Sequence, residues 1–188
     1  AAGICGAAGC TIARGSWGAA LAALAGSVAA GVTEELLIRA IFFRVLEERL
    51  GTWLALAASA ALFGGLHAFN QGATAVSTAA IALEAGVLLA AGFAATRSLW
   101  FVFALHAAWN FTEGGVFGAA VSGHAGSGLW STTFAGGPWL SGGAFGPEAS
   151  AIAVALCLAA ALALLALARR RGRLVSPVWR RAPAPASA

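Results

Sequence analysis

The 188-residue sequence contains no lysine, no aspartate, no tyrosine and no methionine. Charged residues make up 10% of it, against about a quarter of an average soluble domain. That shortage excludes an ordinary soluble globule, whose surface could not be covered. It also excludes a disordered chain, a coiled coil and a nucleic-acid-binding domain, all of which need more polar or charged surface. A GC-rich coding sequence disfavours Lys, Tyr and Met codons and is the plain account of those absences. The three cysteines, Cys5, Cys10 and Cys157, have no metal-ligand spacing and imply neither a disulfide nor a redox role. No signal-peptide pattern stands at the start, which reads Ala1-Ala2-Gly3.

What is present is apolar: 60% of the residues are hydrophobic and the mean hydropathy is +0.85. The expectation is an all-α, polytopic transmembrane helical bundle. A membrane helix needs roughly 20 mostly apolar residues, and five stretches qualify or come near it, at about 16–50, 52–69, 73–96, 99–112 and 148–170. Gly51 stops the first, and Asn70-Gln71-Gly72 turns the chain after the second. Pro147-Glu148 suits the first turn of the last. A Gly-rich loop, 114–146, carries Trp130, Phe134 and Trp139, aromatics of the kind found at membrane interfaces. Residues 1–15 read as a linker or the end of a preceding helix. Residues 171–188 read as a disordered basic tail.

Arginine sets the orientation. With five alternating spans, Arg44, Arg49, Arg97, Arg169, Arg170, Arg171, Arg173, Arg180 and Arg181 fall on one side and Arg14 on the other. The positive-inside rule makes the richer side the cytoplasm. The expected setting is therefore a bacterial inner membrane with a cytoplasmic C-terminus, and the tail contacts anionic lipid.

Ionisable groups within spans are costly and each is a functional hypothesis. Glu35 and Arg39 are four apart on one helix face, in the favourable order, and can neutralise one another. Glu34 points roughly 100° away and is left unpaired. Phe63-Gly64-Gly65-Leu66-His67 ends the second span. His106 and Asn110 share a face of the fourth, where they could hold a water, a metal or an oxyanion, or glue helices together. Glu84 could line a cavity, pair with Arg97 or be protonated, and a structural role is favoured. Glu113 marks a helix end, and His124 in the loop is expected to face solvent. Glu can take a proton from water, His can position that water, and a His and Asn pair can donate to an oxyanion. Together they suffice for peptide-bond hydrolysis. No Ser or Cys stands in a matching nucleophilic arrangement, and the His-Glu-x-x-His spacing is missing. By helix rise, His106 lies about 10 Å from Leu99 and Glu34 about 15 Å from Arg44. That is compatible with a cavity opening to the cytoplasm.

The order Glu-Glu-x-x-x-Arg, Phe-x-x-x-His, His-x-x-x-Asn resembles the CPBP intramembrane proteases (CAAX proteases and bacteriocin-processing enzymes, the Abi family), relatives of the type II CAAX prenyl endopeptidases. The resemblance covers roughly residues 31–118. It implies Glu34 as the water-activating base, with His67 helping to bind that water. It implies His106 and Asn110 as the oxyanion hole, with Glu35 and Arg39 as support. If a divalent metal such as zinc is bound, Glu34, His67 and His106 would hold it; a metal-free mechanism is the other option. Partners would be the lipid bilayer and a peptide or protein substrate, prenylated CAAX-like or otherwise membrane-associated. Ala40 stands where the family usually has Gly, and family members usually carry more N-terminal helices, so a chain lacking some of them is expected. Two other functions fit the same residues: a catalytically silent membrane binding or immunity protein, and a transporter or proton relay. Against the latter, there is no broken-helix repeat symmetry.

Overall fold

The computed structural model describes residues 3–5 and 10–180; of residues 3–5 only the backbone is described. The expected tail beyond residue 180 lies outside the described residues. The architecture is the expected helical bundle. Helices α1 (Trp17–Glu35) and α2 (Arg44–His67) are joined by a π-helical segment, Leu36–Phe43. Helices α3 (Ala75–Ile81) and α4 (Val87–Thr96) are joined by a second, Ala82–Gly86. Helix α5 (Leu99–Asn110) runs on into a third, Phe111–Val116. Helix α7 (Ala151–Arg170) closes the bundle. Three runs are long and apolar enough to cross a membrane: Trp17–His67, Ala75–Thr96 and Ala151–Arg170. The first is folded into two legs at Gly51, whose φ is +78°. The chain is an integral membrane protein.

The helix starts follow from hydroxyl caps, which satisfy backbone N–H groups that have no partner within the helix. Ser16 accepts from the Ala19 N–H at 3.1 Å, Ser98 from Phe101 at 3.3 Å and Ser150 from Ala153 at 3.1 Å. Thr74 and Ser77 form a reciprocal capping box. Close helix packing depends on missing side chains. A Cβ on Gly64 would meet the Thr78 carbonyl oxygen at 2.6 Å, and one on Gly86 would meet Ala60 Cα at 2.9 Å. The two glycines let α2 lie against the α3–α4 run.

The bundle has two distinct ends. At one, Arg97 pairs with Glu47 and donates to the Arg173 carbonyl, and Arg173 donates to the Ala95 carbonyl. There Thr52 exchanges hydrogen bonds with Val175, giving its N–H at 3.0 Å and receiving the Val175 N–H on its hydroxyl at 2.8 Å. Residues 171–180 were expected to belong to a disordered tail. Instead they form a strap across the α2 and α4 ends, because Gly51 leaves room for Val175 and Pro177. Exposed Trp53, Trp100 and Trp179 ring this arginine-bearing end.

The other end carries exposed Trp17, Phe69, Trp130 and Trp139. Two aromatic belts thus bracket the apolar bundle, as expected for two membrane interfaces. Residues 1–15 were expected as a linker or helix end. They contain instead β1 (Gly3–Cys5) and β2 (Cys10–Arg14), and the Gly-rich stretch contains β3 (Trp130–Phe134) and the short α6 (Pro138–Ser141). The strands form an antiparallel sheet in the order β1-β2-β3, with Thr11 opposite Thr133. The alternation that would announce β2 is only five residues long, too short to read against a helix end.

Candidate active site

The three π-helical segments begin at or contain residues of one polar centre. Glu34 and Glu35 end α1 just before the first; Glu84 lies in the second; Asn110 precedes the third. Single π turns inside α-helices occur frequently at functional sites. Arg39, inside the first, donates to two carbonyls at the end of the second, Gly86 at 3.0 Å and Ala85 at 3.4 Å. Its Nη1 also donates to Glu35 Oε1 at 2.9 Å, and both side chains are completely buried. The guanidinium lies 4.7 Å from the centre of the Phe63 ring. The expected neutralisation of Glu35 by Arg39 is therefore present, with further partners on α2 and the α3–α4 run.

Glu35 has a second task. Its Oε1 lies 3.0 Å from His106 Nδ1. A carboxylate paired with arginine accepts, so His106 Nδ1 carries the hydrogen and Nε2 faces the other way. His67 is fixed likewise: its Nδ1 is 2.8 Å from the Phe63 carbonyl, which can only accept. The His67 ring also stacks on Phe63, 4.6 Å between centroids. Both Nε2 atoms point at Glu34. Its Oε2 is 4.0 Å from His67 Nε2 and 4.0 Å from His106 Nε2. That oxygen is buried and has no hydrogen-bond partner. Separations of 4.0 Å are too long for direct hydrogen bonds and are of the kind a bridging water spans. The structure thus brings together Glu34, His67 and His106, and Asn110 lines the same cleft one turn beyond His106.

As placed, these residues do not fit a zinc ion. Bonds of about 2.0–2.2 Å in a tetrahedral shell would bring adjacent donor atoms to about 3.4 Å. Among the described residues no group of three His, Cys, Asp or Glu side chains could hold a metal ion.

The cleft has a volume of about 540 Å³. One wall is the small-residue face of α1, Ala19, Ala22, Ala23, Gly26, Ser27 and Ala30, ending at Glu34; the other is the loop 121–127. It was expected to open toward the arginine-bearing end. Instead, its lining runs from Glu34 back along α1 toward Trp17, to the opposite end. Toward the arginines the way is closed by buried Arg39, Phe43 and Phe63, with Phe43 packed edge-on against Phe93 at 5.6 Å. Helix rise gave a depth for each residue but could not say which end is plugged.

Several contributors were not foreseen. Ser122 and Gly123 take positive φ values of +47° and +82° in a turn bridged between Val121 and His124. A non-glycine residue with positive φ is held only where its surroundings insist. Asn70 donates to the Ser122 carbonyl at 2.9 Å, and the Ser122 hydroxyl donates to Glu148 at 2.6 Å. His124 is exposed, as expected, and it also lines the cleft. Ser-Gly is a turn dipeptide, so the turn was legible, but not its partners. Glu84 is buried against Cys157, whose thiol donates at 3.5 Å; Arg97, the alternative partner, is taken by Glu47. Glu84, Glu148, Ser122 and both imidazoles border a second cavity of about 30 Å³, room for one water.

The family model described as Rce1-like, type II CAAX prenyl endopeptidase Rce1-like, matches residues 16–112. The match takes in α1 through α5, with Glu34, Glu35, Arg39, His67, His106 and Asn110. No curated protein and no solved structure matches the chain.

Proposed function

Since the chain belongs to the Rce1-like family of type II CAAX prenyl endopeptidases, we propose that it hydrolyses a peptide bond with a water activated by Glu34. The observation that carries this is the unpartnered Glu34 Oε2 set 4.0 Å from the Nε2 atoms of two oriented imidazoles. A water held there meets three lone pairs but has two hydrogens to give. One of the three groups must therefore hold an extra proton for all contacts to be made. His106 is the suited carrier, because the Glu35 carboxylate lies against its other nitrogen.

Glu34 takes a proton from the water as the oxygen attacks the carbonyl carbon. Charge develops on the former carbonyl oxygen. Protonated His106 and the Asn110 amide are the donors available to it. Collapse of the tetrahedral species breaks the C–N bond, and the proton held by Glu34 goes to the leaving amine. His67, fixed by Phe63, keeps the water in line. Glu35 and Arg39 are positioning residues: they orient His106 and do not touch the substrate.

The substrate is a membrane-associated peptide, prenylated and CAAX-like or of another kind. The arginine-bearing end, with the C-terminal strap, lies in the cytoplasm by the positive-inside rule. The test is cleavage of a quenched fluorescent peptide library by the purified protein in detergent or nanodiscs, with and without chelator. The reading expects turnover that Glu34→Gln abolishes. Equal turnover by a folded Glu34→Gln protein overturns it.

A further inference from the structure

The small cavity of about 30 Å³ shares His67, His106, Asn110 and Ser122 with the cleft. Most polar groups around it are already engaged. His106 gives its Nδ1 hydrogen to Glu35 and His67 to the Phe63 carbonyl, and both turn Nε2 toward Glu34. Ser122 gives its hydroxyl hydrogen to Glu148 at 2.6 Å. Three groups on the border are left unserved. Glu84 is 1% exposed and its Oε2 has no partner. The Trp109 Nε1–H is buried and has none either. The third is the side-chain amide of Asn110, which no hydrogen bond reaches among the described residues. Leaving a buried donor and a buried acceptor unserved is costly. Glu84 is also firmly mounted, because the carbonyls of the next two residues, Ala85 and Gly86, hold Arg39.

We propose that Glu84 and Trp109 are positioning residues of the hydrolytic centre, holding one resident water that turns the Asn110 amide so that its NH2 group faces the cleft. The proposal rests on the hydrolytic reading of the Glu34 centre and adds two residues to it. An indole N–H can only donate, and a carboxyl oxygen accepts. A water between them accepts from Trp109 Nε1 and gives one hydrogen to Glu84 Oε2. Its second hydrogen needs an acceptor, and Asn110 Oδ1 is the unserved one on the border. That makes three hydrogen bonds, about the number a buried water typically forms. The two ends of a carboxamide are nearly equal in shape but opposite in hydrogen bonding. Only the NH2 end can donate to a developing oxyanion. With Oδ1 held by the water, Nδ2 is the end left for the cleft. Without the water either end can face the substrate, and the oxygen end repels the developing charge. Neither Glu84 nor Trp109 lines the cleft, so both act through Asn110 and not on the substrate.

The experiment uses the full chain in nanodiscs and has two readouts. The first does not depend on activity. NMR of the chain with isotope-labelled tryptophan identifies the Trp109 indole signal by its loss in Trp109→Phe. That signal should show a cross-peak to a long-lived water. The cross-peak should survive in Glu84→Gln, which retains an acceptor, and vanish in Glu84→Leu, which does not. No water cross-peak in the unaltered chain overturns the proposal, whatever the protein hydrolyses. The second readout is turnover of the fluorescent peptides. Glu84→Leu and Trp109→Phe should each lower kcat about tenfold, short of the about 10²–10³-fold that loss of an oxyanion donor costs. KM should stay unchanged, and Glu84→Gln should stay near the unaltered rate. In an Asn110→Ala background neither substitution should lower kcat further. A merely structural effect would persist in that background and overturns the proposal, as does full kcat in a folded Glu84→Leu protein. Should Glu84→Leu fail to fold, Trp109→Phe carries both kinetic comparisons. A Glu84-dependent water cross-peak in a protein that cuts no peptide counts against the hydrolytic reading, not against the water.

Discussion

At the scale of single residues, the low charge count makes each ionisable side chain readable by its partners. Glu34 and Glu35 are sequence neighbours with opposite fates: Glu35 is paired and completely buried, while Glu34 keeps a buried oxygen without a partner. Glu34→Gln keeps shape and volume but cannot take a proton. Loss of a general base typically costs about 10²–10⁴-fold in rate, so kcat should fall by that amount while thermal unfolding stays unchanged. Arg39→Met is the complementary case. It breaks a buried ion pair and leaves the Glu35 carboxylate with His106 as its remaining partner, and breaking a buried pair costs about 3–5 kcal/mol in comparable sites. Unfolding of the detergent-solubilised protein should show it. The double variant Glu35→Gln/Arg39→Met should recover much of the loss, and the double-mutant cycle reports the coupling. Stability recovered without activity would mark Glu35 as the residue that orients His106. Helical spacing made the Glu35–Arg39 pair legible beforehand. The Glu35–His106 contact was not, because it joins α1 to α5 across 71 positions of sequence.

At the scale of elements, helix positions were legible and their joints were not. Long apolar runs and hydroxyl caps announce where helices start. The π-helical segments give no such signal, since Leu36–Phe43 and Ala82–Gly86 read as ordinary helix. Yet the first holds Arg39 and the second ends in the carbonyls that accept from it. The sheet was hidden for a different reason: β2 and β3 are about 120 positions apart and their residues, such as Ala13, Ser131 and Thr132, carry little β alternation. Glycines at helix contacts make a sharper prediction. Gly64→Val must displace the Thr78 carbonyl and Ala82, whereas neighbouring Gly65 has open space around it. Overpacking of a close contact costs about 1–3 kcal/mol. Gly64→Ala and Gly64→Val should therefore lower the unfolding temperature in that order, with Gly65→Ala as the neutral control. Equal effects at both positions would mean that α2 does not lie so close to α3.

At the scale of the whole molecule, stability and chemistry are assigned to different ends. The arginine end is stitched by the Arg97–Glu47 ion pair and by the 171–180 strap. The cleft end is built from small residues, a strained turn and a short sheet. In a bilayer, helix association lacks the hydrophobic drive it has in water, so polar stitches of this kind carry weight. Arg97 is the centre of the knot, reaching both Glu47 and the Arg173 carbonyl, and its φ of +57° also ends α4. Arg97→Met removes the charge and the donors but keeps a side chain of similar length. It leaves Glu47, nearly buried, with only the Thr52 hydroxyl at 2.6 Å. Local opening free energies should therefore fall at one end only. Hydrogen exchange followed by mass spectrometry should show faster exchange around residues 44–56 and 172–178. Exchange around residues 63–70 and 104–112, and turnover at low temperature, should stay as in the unaltered chain. Uniform acceleration through both ends would show that the bundle opens as one unit and that the strap and the Glu34 centre are energetically coupled.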